Sequence, residues 1–464
     1  MKKPLSLISV FLVSSISLFA QDIKLDAKVS LYHILKDKSN EYAPNNATVY
    51  SANLKLTSPE FFKTTLSVGA YIVGDVGLTG DDSDSDIKVA KGLLLGDATS
   101  GDDSDVKETV ALLSETYLKY RDDALLVNIG RQSLNTPMTK NKYSTMPNFY
   151  EAVDLDYIFF KPLSIKLGYI TRMAYGSRSI SDFGLIGDAT ATAGASYASK
   201  GRSAEFINMG AIATATKTSS TDQTVKLGKE SDGVSMIALK YKDSDINLQS
   251  WYYFADDISH ILYLEAGYSL LFSGIKMDVS AQYLAQDYQD RFKNLSVNNN
   301  LYNKNSSIVG TKISFKYNKT TNISLNYTNS NDASFFTPWG GDPLYTTTLV
   351  SRNSYRPDVQ AYKIDLKQNL PIDGMKIMLA YADYGKSDLW TSFKQGGKIY
   401  KNVTPYSKGK EFDLVLSYKP VKNLLTKMMY VIQTNEFDGV IATDGITKAE
   451  RTMNHLRFIA VYKF

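Results

Sequence analysis

The ten residues from His455 to Phe464, HLRFIAVYKF, decide the fold, because side chains of one parity are apolar through to the last residue. Successive side chains of a β-strand point to opposite faces of a sheet, so residues of one parity share a face. The segment therefore predicts a strand with one apolar face. In a soluble protein that face would pack on a core, whereas in a membrane barrel it would contact lipid. The rest of the chain is therefore needed to distinguish a soluble fold from a membrane barrel. The apolar parity consists of Leu456, Phe458, Ala460, Tyr462 and Phe464.

Alternation with a period of two recurs along the chain in segments of about ten residues, long enough to cross a membrane as tilted strands. Tight turns and long polar connections separate these segments in alternation, as expected when one barrel end faces the periplasm and the other faces outside. The sequence therefore predicts an all-β fold, a transmembrane antiparallel up-and-down β-barrel of eighteen strands with short periplasmic turns and long extracellular loops. The predicted strands are 22–35, 47–58, 61–73, 108–120, 124–132, 152–160, 163–173, 233–242, 246–254, 260–271, 274–286, 306–317, 321–329, 358–368, 374–384, 410–418, 423–434 and 452–464. The predicted long connections are 74–107, 133–151, 174–232, 287–305, 330–357, 385–409 and 435–451.

The stretch 203–216, SAEFINMGAIATAT, is ambiguous. It fits either a further strand pair or a folded insertion in the long connection, and we assign it to the connection.

The second parity of the strands carries charges, among them Lys166, Lys276 and Lys427. In a soluble sandwich these charges face water, whereas in a transmembrane barrel they line a hydrated lumen and the apolar parity faces lipid. Three features favour the barrel: an export leader, aromatic residues near strand ends, and strands longer than those of most sandwiches. Basic residues of this parity outnumber acidic ones. That excess predicts a lumen that attracts anions, while cross-strand ion pairing that merely stabilises the wall is an equal alternative.

Residues 1–20 begin with Lys2 and Lys3 after the first methionine, continue with an apolar run and end in Ala20. This pattern predicts a signal peptide over 1–20, followed by a single barrel domain over 21–464. The chain contains no cysteine, which excludes disulfides and thiolate chemistry. Its formal charge of +4 falls to +2 without the two leader lysines, too little for a nucleic-acid partner. A mean hydropathy of -0.22 argues against a helical membrane bundle.

Two connections carry a family resemblance. The stretch 130–152, GRQSLNTPMTKNKYSTMPNFYEA, resembles the third-loop region of OprD-family outer-membrane porins, in which this loop narrows the pore to an eyelet. The stretch 335–366, FFTPWGGDPLYTTTLVSRNSYRPDVQAYKIDL, resembles the seventh loop of that family and the strand after it. The aromatic C-terminus resembles the signal by which outer-membrane barrels are handed to their assembly machinery.

The resemblance implies an eighteen-stranded monomeric channel for small solutes, with loops 133–151 and 330–357 folded into the lumen. The acidic residue usual in the third-loop motif is replaced by KNKYST, which puts selectivity for cations or basic amino acids in doubt. The implied functional residues fall into three groups. They are Lys140, Lys142, Tyr143, Asp342, Arg352, Tyr355 and Arg356 at the pore constriction; Arg131, Arg172, Lys312, Lys316, Lys363 and Arg457 as a basic row on the lumen wall; and Tyr462 and Phe464 as the assembly signal.

The alternative is an outer-membrane adhesin or structural barrel that acts through its long extracellular loops. An enzyme is disfavoured, because the three histidines, His33, His260 and His455, lie on separate predicted strands and no nucleophile or metal motif is present. Acidic stretches at 80–86 and 101–106 lack the terminal glutamate of an EF-hand, so solvated loops are favoured over calcium sites. We predict no cofactor. The predicted partners are small hydrophilic solutes and ions, outer-membrane lipid and the barrel-assembly machinery, for a monomer or a loose trimer.

Overall fold

The computed structural model describes most of the chain after residue 22. The predicted signal peptide, the acidic stretches at 80–86 and 101–106, and Lys142 and Tyr143 lie outside the described residues. The described ranges are 23–36, 45–76, 109–140, 145–174, 176, 206–218, 233–294, 302, 304–318, 320–335, 339–387, 391–395, 398–403, 406–442 and 445–464.

The described chain contains twenty-one strands and two helices. The strands are β1 (Lys24–Lys36), β2 (Asn45–Thr57), β3 (Thr64–Asp75), β4 (Thr109–Arg121), β5 (Leu125–Gln132), β6 (Phe149–Phe160), β7 (Leu163–Ala174), β8 (Ile207–Asn208), β9 (Val234–Lys242), β10 (Ile246–Ala255), β11 (Ser259–Phe272), β12 (Ile275–Tyr288), β13 (Ser306–Tyr317), β14 (Thr321–Ser330), β15 (Gln360–Asn369), β16 (Met375–Tyr384), β17 (Thr391–Gln395), β18 (Lys398–Val403), β19 (Tyr406–Val421), β20 (Leu424–Ala442) and β21 (Gly445–Lys463). The helices are α1 (Met209–Thr218) and α2 (Asp290–Lys293).

Eighteen of the described strands form one closed antiparallel barrel. Each barrel strand pairs with the next along the chain, β7 pairs with β9, and β16 pairs with β19. The two-residue strand β8 extends the wall beside β7, and β17 pairs with β18 in a separate hairpin. Closure leaves no free sheet edge, which a strand structure in lipid requires. The predicted fold class is confirmed.

The C-terminal segment closes this barrel. Strand β21 pairs with β1 from Lys28↔Lys463 to Lys36↔His455, and the amide of Phe464 donates to the carbonyl of Ala27 at 3.0 Å. Side chains of the predicted apolar parity lie on the outer face, where Phe464 is 74 % exposed. The predicted terminal strand and its outward face are therefore confirmed.

Every predicted barrel strand is present, but three of them run further than predicted. Strands β19, β20 and β21 extend into the predicted connections 385–409 and 435–451, and the pairing of β20 with β21 continues to Ala442↔Gly445. The prediction of a long connection over 435–451 was wrong, whereas 385–405 remains a long connection between β16 and β19 and contains the hairpin of β17 and β18. The physical reason is that strands beyond the bilayer need no apolar face, so their sequence carries no alternation to detect.

The ambiguous stretch 203–216 is a folded insertion, described from residue 206. It forms β8 and then α1, whose Met209 and Ile212 pack in a buried cluster, so the strand-pair alternative is wrong. Asn208 accepts hydrogen bonds from the amides of Gly210 and Ala211, which caps the start of the helix. Within the described ranges, neither helix is long or apolar enough to cross a bilayer.

Exposed aromatic side chains surround the short-turn end of the barrel. Phe62 is 82 % exposed and Phe272 is 76 % exposed, and both lie on or beside a two- to six-residue connection between barrel strands. Aromatic girdles mark the level of the lipid headgroups in outer-membrane barrels. The belt therefore places the short turns at one membrane surface, with Phe61, Phe62, Phe160, Phe272 and Tyr317 as its members.

Candidate functional site

Two long connections contact each other: loop 3 (133–148) and loop 7 (331–359), where the amide of Gly341 donates to the carbonyl of Met138 at 2.9 Å. The hydroxyl oxygen of Tyr150, which is fully buried, lies 2.8 Å from the carbonyl oxygen of Trp339 and 3.0 Å from that of Thr139, so its one proton is shared between the two acceptors. The indole of Trp339 donates to the carbonyl of Met209 at 3.1 Å. Loop 3, loop 7 and α1 therefore pack as one unit, and Trp339 joins all three.

The glycines of the WGGD turn allow this close packing. Gly340 has a φ of +123°, and a Cβ at that position would lie 2.3 Å from the side-chain nitrogen of Asn148. A Cβ at Gly341 would lie 2.3 Å from the carbonyl oxygen of Pro137. Only glycine fits both the backbone conformation and the space, so this turn has a structural role.

Two buried carboxylates on the wall hold loop 7 by its backbone. The carboxylate of Glu411 accepts hydrogen bonds from the amides of Val350 at 2.8 Å and Ser351 at 2.7 Å. The carboxylate of Asp413 accepts one from the amide of Leu349 at 3.1 Å. Glu411 and Asp413 are 0 % and 1 % exposed, so these hydrogen bonds form away from bulk water. We refer to the two residues as the carboxylate pair.

Asp342, a predicted constriction residue, joins two parts of loop 7. One carboxylate oxygen accepts from the amide of Leu344 at 3.2 Å and the hydroxyl of Thr347 at 2.9 Å. The other accepts from the amides of Asn353 at 3.1 Å and Ser354 at 3.3 Å. The structure therefore places Asp342 at a turn inside the loop, where its charge orders the backbone.

The other predicted residues of loop 7 are also largely enclosed. Arg356 is fully buried, and its guanidinium lies 4.6 Å from the ring centre of Tyr384 and 5.7 Å from that of Tyr355. Tyr355 is 4 % exposed, while Arg352 is half-buried. Cation-π packing of this kind stabilises a buried guanidinium. Arg356 therefore packs within the loop and the wall, and Arg352 is the more accessible cation.

Loop 3 contributes one described residue to the predicted constriction. Lys140 is exposed, and its amide donates to the carbonyl of Thr136 at 3.1 Å in a turn. The hydroxyl of Tyr71, on β3, donates to the carbonyl of Thr145 at 2.7 Å, so the far end of the loop is attached to the wall. Lys142 and Tyr143 lie between these points and outside the described residues.

The predicted basic row divides into members with different surroundings. Lys312 lies 5.8 Å from the ring centre of Tyr345 in loop 7, and Lys363 donates to the carbonyl of Thr347 at 2.9 Å. Both lysines therefore contact loop 7 from the wall. Lys316 forms an ion pair with Asp278, which lies directly across from Ser314 in the register. Arg457 points inward on β21 and is 5 % exposed.

Arg131 and Arg172 lie at the opposite end of the wall from the short turns. Arg131 Nε is 2.9 Å from Glu151 Oε1, and Arg172 Nε is 3.8 Å from Glu151 Oε2. The register places Arg131 on the same parity as Ile129, whose side chain is 50 % exposed on the outer face. Their surroundings thus differ from those of the other four predicted members.

On the side of the lumen formed by β1 to β9, four inward lysines pair with carboxylates. Lys166 is the most buried, with Nζ 2.6 Å from Asp154 Oδ1 and 2.7 Å from Asp156 Oδ2. We call this region the paired side. Its four lysines are Lys24, Lys55, Lys166 and Lys240, and their partners are Asp26, Glu115, Asp154 and Asp156.

On the side formed by β12 to β20, lysines surround a cavity at the short-turn end. The cavity has a volume of about 630 Å³ and also contains the side-chain amides of Asn322 and Gln368. Lys276 and Lys316 face each other directly in the register, and Asp278 lies within 3.8 Å of the first and pairs with the second. We call this region the lysine cavity, lined by Lys276, Lys316, Lys367, Lys376 and Lys427.

Sequence reasoning identified neither the carboxylate pair nor the lysine cavity as sites. Both Glu411 and Asp413 belong to the inward parity, which was a usable signal, but only the path of loop 7 shows what they bind. Lys367 and Lys376 come from adjacent strands whose register had to be known before they could be grouped.

Comparison with solved structures gives the fold. The barrel is similar to Pseudomonas aeruginosa OpdK with vanillate, with a TM-score of 0.67 and 11% identity over 96% of this chain and 99% of that one. It is also similar to Acinetobacter baumannii OccAB2, with a TM-score of 0.69 and 14% identity over 96% and 98% of the chains. For OccAB3 of the same organism the TM-score is 0.68 and the identity 13%, over 96% and 100% of the chains.

The sequence alone finds no such relatives. No protein-family model matches the chain, and no curated protein matches it. The shared fold therefore rests on the path of the chain through nearly its whole length.

Proposed function

We propose that this chain is an outer-membrane porin, a passive diffusion channel for small hydrophilic solutes and ions that favours anions or small carboxylates. The observation that carries the proposal is the excess of inward lysines around a cavity in the lumen wall, inside a barrel whose outer face is apolar. Fixed charges along a narrow aqueous path concentrate ions of opposite sign. The shared fold with OpdK supports the proposal, and the vanillate in that structure is a small carboxylate.

Loop 3 and loop 7 are the proposed constriction. Lys140, Lys142, Tyr143 and Arg352 are the side chains proposed to meet the solute, because Asp342 and Arg356 are used inside loop 7. In the proposed setting, the aromatic belt lies in the headgroup region of the outer membrane, Tyr462 and Phe464 present the assembly signal, and the barrel acts as a monomer or a loose trimer.

The test is the reversal potential of the purified, refolded protein in a planar bilayer between unequal KCl concentrations. Stepwise conductance with anion preference supports the proposal. Cation preference would leave a porin but contradict the anion selectivity. A folded barrel without conductance would favour an adhesin or structural barrel instead.

A double variant tests the constriction separately. Changing Lys140→Glu and Lys142→Glu reverses two charges in loop 3, so the reversal potential should move toward that of a cation-selective pore. An unchanged ion preference would remove these lysines from the constriction. The control is Lys63→Glu, which reverses one charge in an exposed turn between β2 and β3.

A further inference from the structure

The lysine cavity is a concave site in which two lysines, Lys367 and Lys376, have no carboxylate within ion-pair distance among the described residues. Asp278 serves both Lys276 and Lys316. Within the described ranges, Lys367 and Lys376 form no ion pair. Like charges on one face of neighbouring strands repel each other, so an anion that enters this cavity relieves an unfavourable arrangement.

The register sets the spacing of these cations. Lys316 is opposite Asn322, and Asn322 is opposite Lys367, so the two lysines are separated by one strand. Two inter-strand spacings correspond to roughly 10 Å. Lys376 lies on the next strand, two residues from the partner of Lys367. Lysines on β13, β15 and β16 thus line one cavity, and Asn322 on β14 lies between the first two strands.

This spacing favours a ligand with several separated negative charges over a monovalent ion. A single charge can approach only one ammonium group closely, whereas a ligand with two or three anionic groups can neutralise lysines on different strands at once. The volume of about 630 Å³ is within the range of small-molecule pockets and exceeds what one halide needs. The neutral amides can donate hydrogen bonds to carboxylate or phosphate oxygens.

We propose that the lysine cavity binds solute anions that carry two or more negative charges, as a station at the short-turn end of the pathway. The chemistry is shared by di- and tricarboxylates and by phosphate. This inference rests on the proposed channel function and adds a binding site and a charge class to it.

The test is block of the chloride current through single channels in a planar bilayer at neutral pH. The probes are citrate, succinate, hydrogenphosphate and acetate, added from either side. The half-blocking concentration should be lowest for citrate, and acetate should not block. Stronger block by citrate and succinate than by hydrogenphosphate assigns a carboxylate ligand, and the reverse assigns a phosphate.

Matched double variants locate the site. Lys367→Gln with Lys376→Gln should raise the half-blocking concentration of citrate at least ten-fold. Lys24→Gln with Lys119→Gln removes the same charge from β1 and β4, outside the cavity, and should change it less than two-fold. An equal effect of both double variants, or block that does not depend on probe valence, overturns the inference.

The outcomes separate the two proposals. Absence of conductance from a folded barrel overturns the channel itself, whereas conductance with chloride preference but without valence-dependent block overturns only the cavity. Circular dichroism checks that each variant is folded. If the double variant does not fold, the single variants Lys367→Gln and Lys376→Gln are tested instead. Each should raise the half-blocking concentration of citrate about three-fold, because independent effects add on a logarithmic scale and each lysine then contributes half of the ten-fold change.

Discussion

The paired side and the lysine cavity show two ways in which one lumen wall accommodates lysine. On the paired side, Lys166 lies between Asp154 and Asp156 and is almost fully buried. In the lysine cavity, Lys316 shares Asp278 with Lys276, and Lys367 is exposed to the lumen. Both regions belong to the same sheet and the same inward parity, so parity alone does not determine the charge that a solute meets.

The difference arises from what the carboxylates of each side contact. On the paired side they contact lysines on the same strand, on the adjacent strand or on the strand beyond it. On the other side, Glu411 and Asp413 accept backbone amides of loop 7, and both lie at least four residues along β19 from Ser417, the register partner of Lys376. The carboxylate pair thus holds loop 7, while Asp278 pairs with Lys276 and Lys316 in the lysine cavity.

The largest expected effect is on the paired side. Changing Asp154→Asn and Asp156→Asn leaves Lys166 buried without a carboxylate, so the free energy of unfolding should fall by about 3 kcal/mol. Urea unfolding in lipid vesicles, followed by tryptophan fluorescence, measures it. Adding Lys166→Gln should recover part of the loss, because the uncompensated charge is removed. A loss below about 1 kcal/mol would show that water in the lumen already solvates this lysine.

The next effect concerns the carboxylate pair. Glu411→Gln leaves one acceptor oxygen where two amides now bind, so the free energy of unfolding should fall by about 2 kcal/mol. The current through the open channel should also fluctuate more, because loop 7 loses part of its attachment. The control, Glu60→Gln, lies exposed in the turn after β2 and should change stability by less than about 0.5 kcal/mol. Quiet, wild-type currents in Glu411→Gln would mean that Asp342 and Trp339 suffice to hold the loop.

A smaller effect is expected when the paired side is made to resemble the lysine cavity. Glu115→Gln removes the carboxylate 3.7 Å from Lys55. The added uncompensated charge should raise the ratio of anion to cation permeability about two-fold, measured as the reversal potential in a KCl gradient. No change in that ratio would show that only the lysine cavity and the loops control ion preference.

The smallest effect lies at the short turns, where pairing continues outside the membrane. Lys63 Nζ is 2.7 Å from Asp122 Oδ1, and this hydrogen bond holds the pKa of the Asp122 carboxyl below its ordinary value. The pair therefore stabilises the fold above the ordinary aspartate pKa of about 3.9. That contribution is lost as the pH falls through the lower pKa of the folded state. Thermal unfolding from pH 7 to pH 2 should show a slightly larger drop in Tm for wild type than for Asp122→Asn, and equal drops would contradict the pairing.

Most barrel strands were predictable from sequence to within a few residues, whereas the outer ends of β20 and β21 and the site were not. Strand β13 was predicted at its observed bounds, 306–317, because every second residue must suit lipid. Strand β21 was predicted to begin at 452 and begins at Gly445, since its outer end lies beyond the bilayer. Arg356 was predicted at the constriction and is fully buried. Its position depends on the path of loop 7, and the sequence of that loop has no alternation of apolar and polar residues from which the path could be predicted.

The sequence by itself determined the all-β barrel, its strand number, its inward and outward faces and the aromatic C-terminal strand that closes it. These features repeat every second residue, and the physical requirement behind them is local: lipid on one face and water on the other. Only the tertiary structure decided which lysines are neutralised, which carboxylates hold loop 7, and that Lys316, Lys367 and Lys376 share a cavity. Those groupings depend on strand register and loop path, which join residues far apart in the chain and leave no pattern within any one segment.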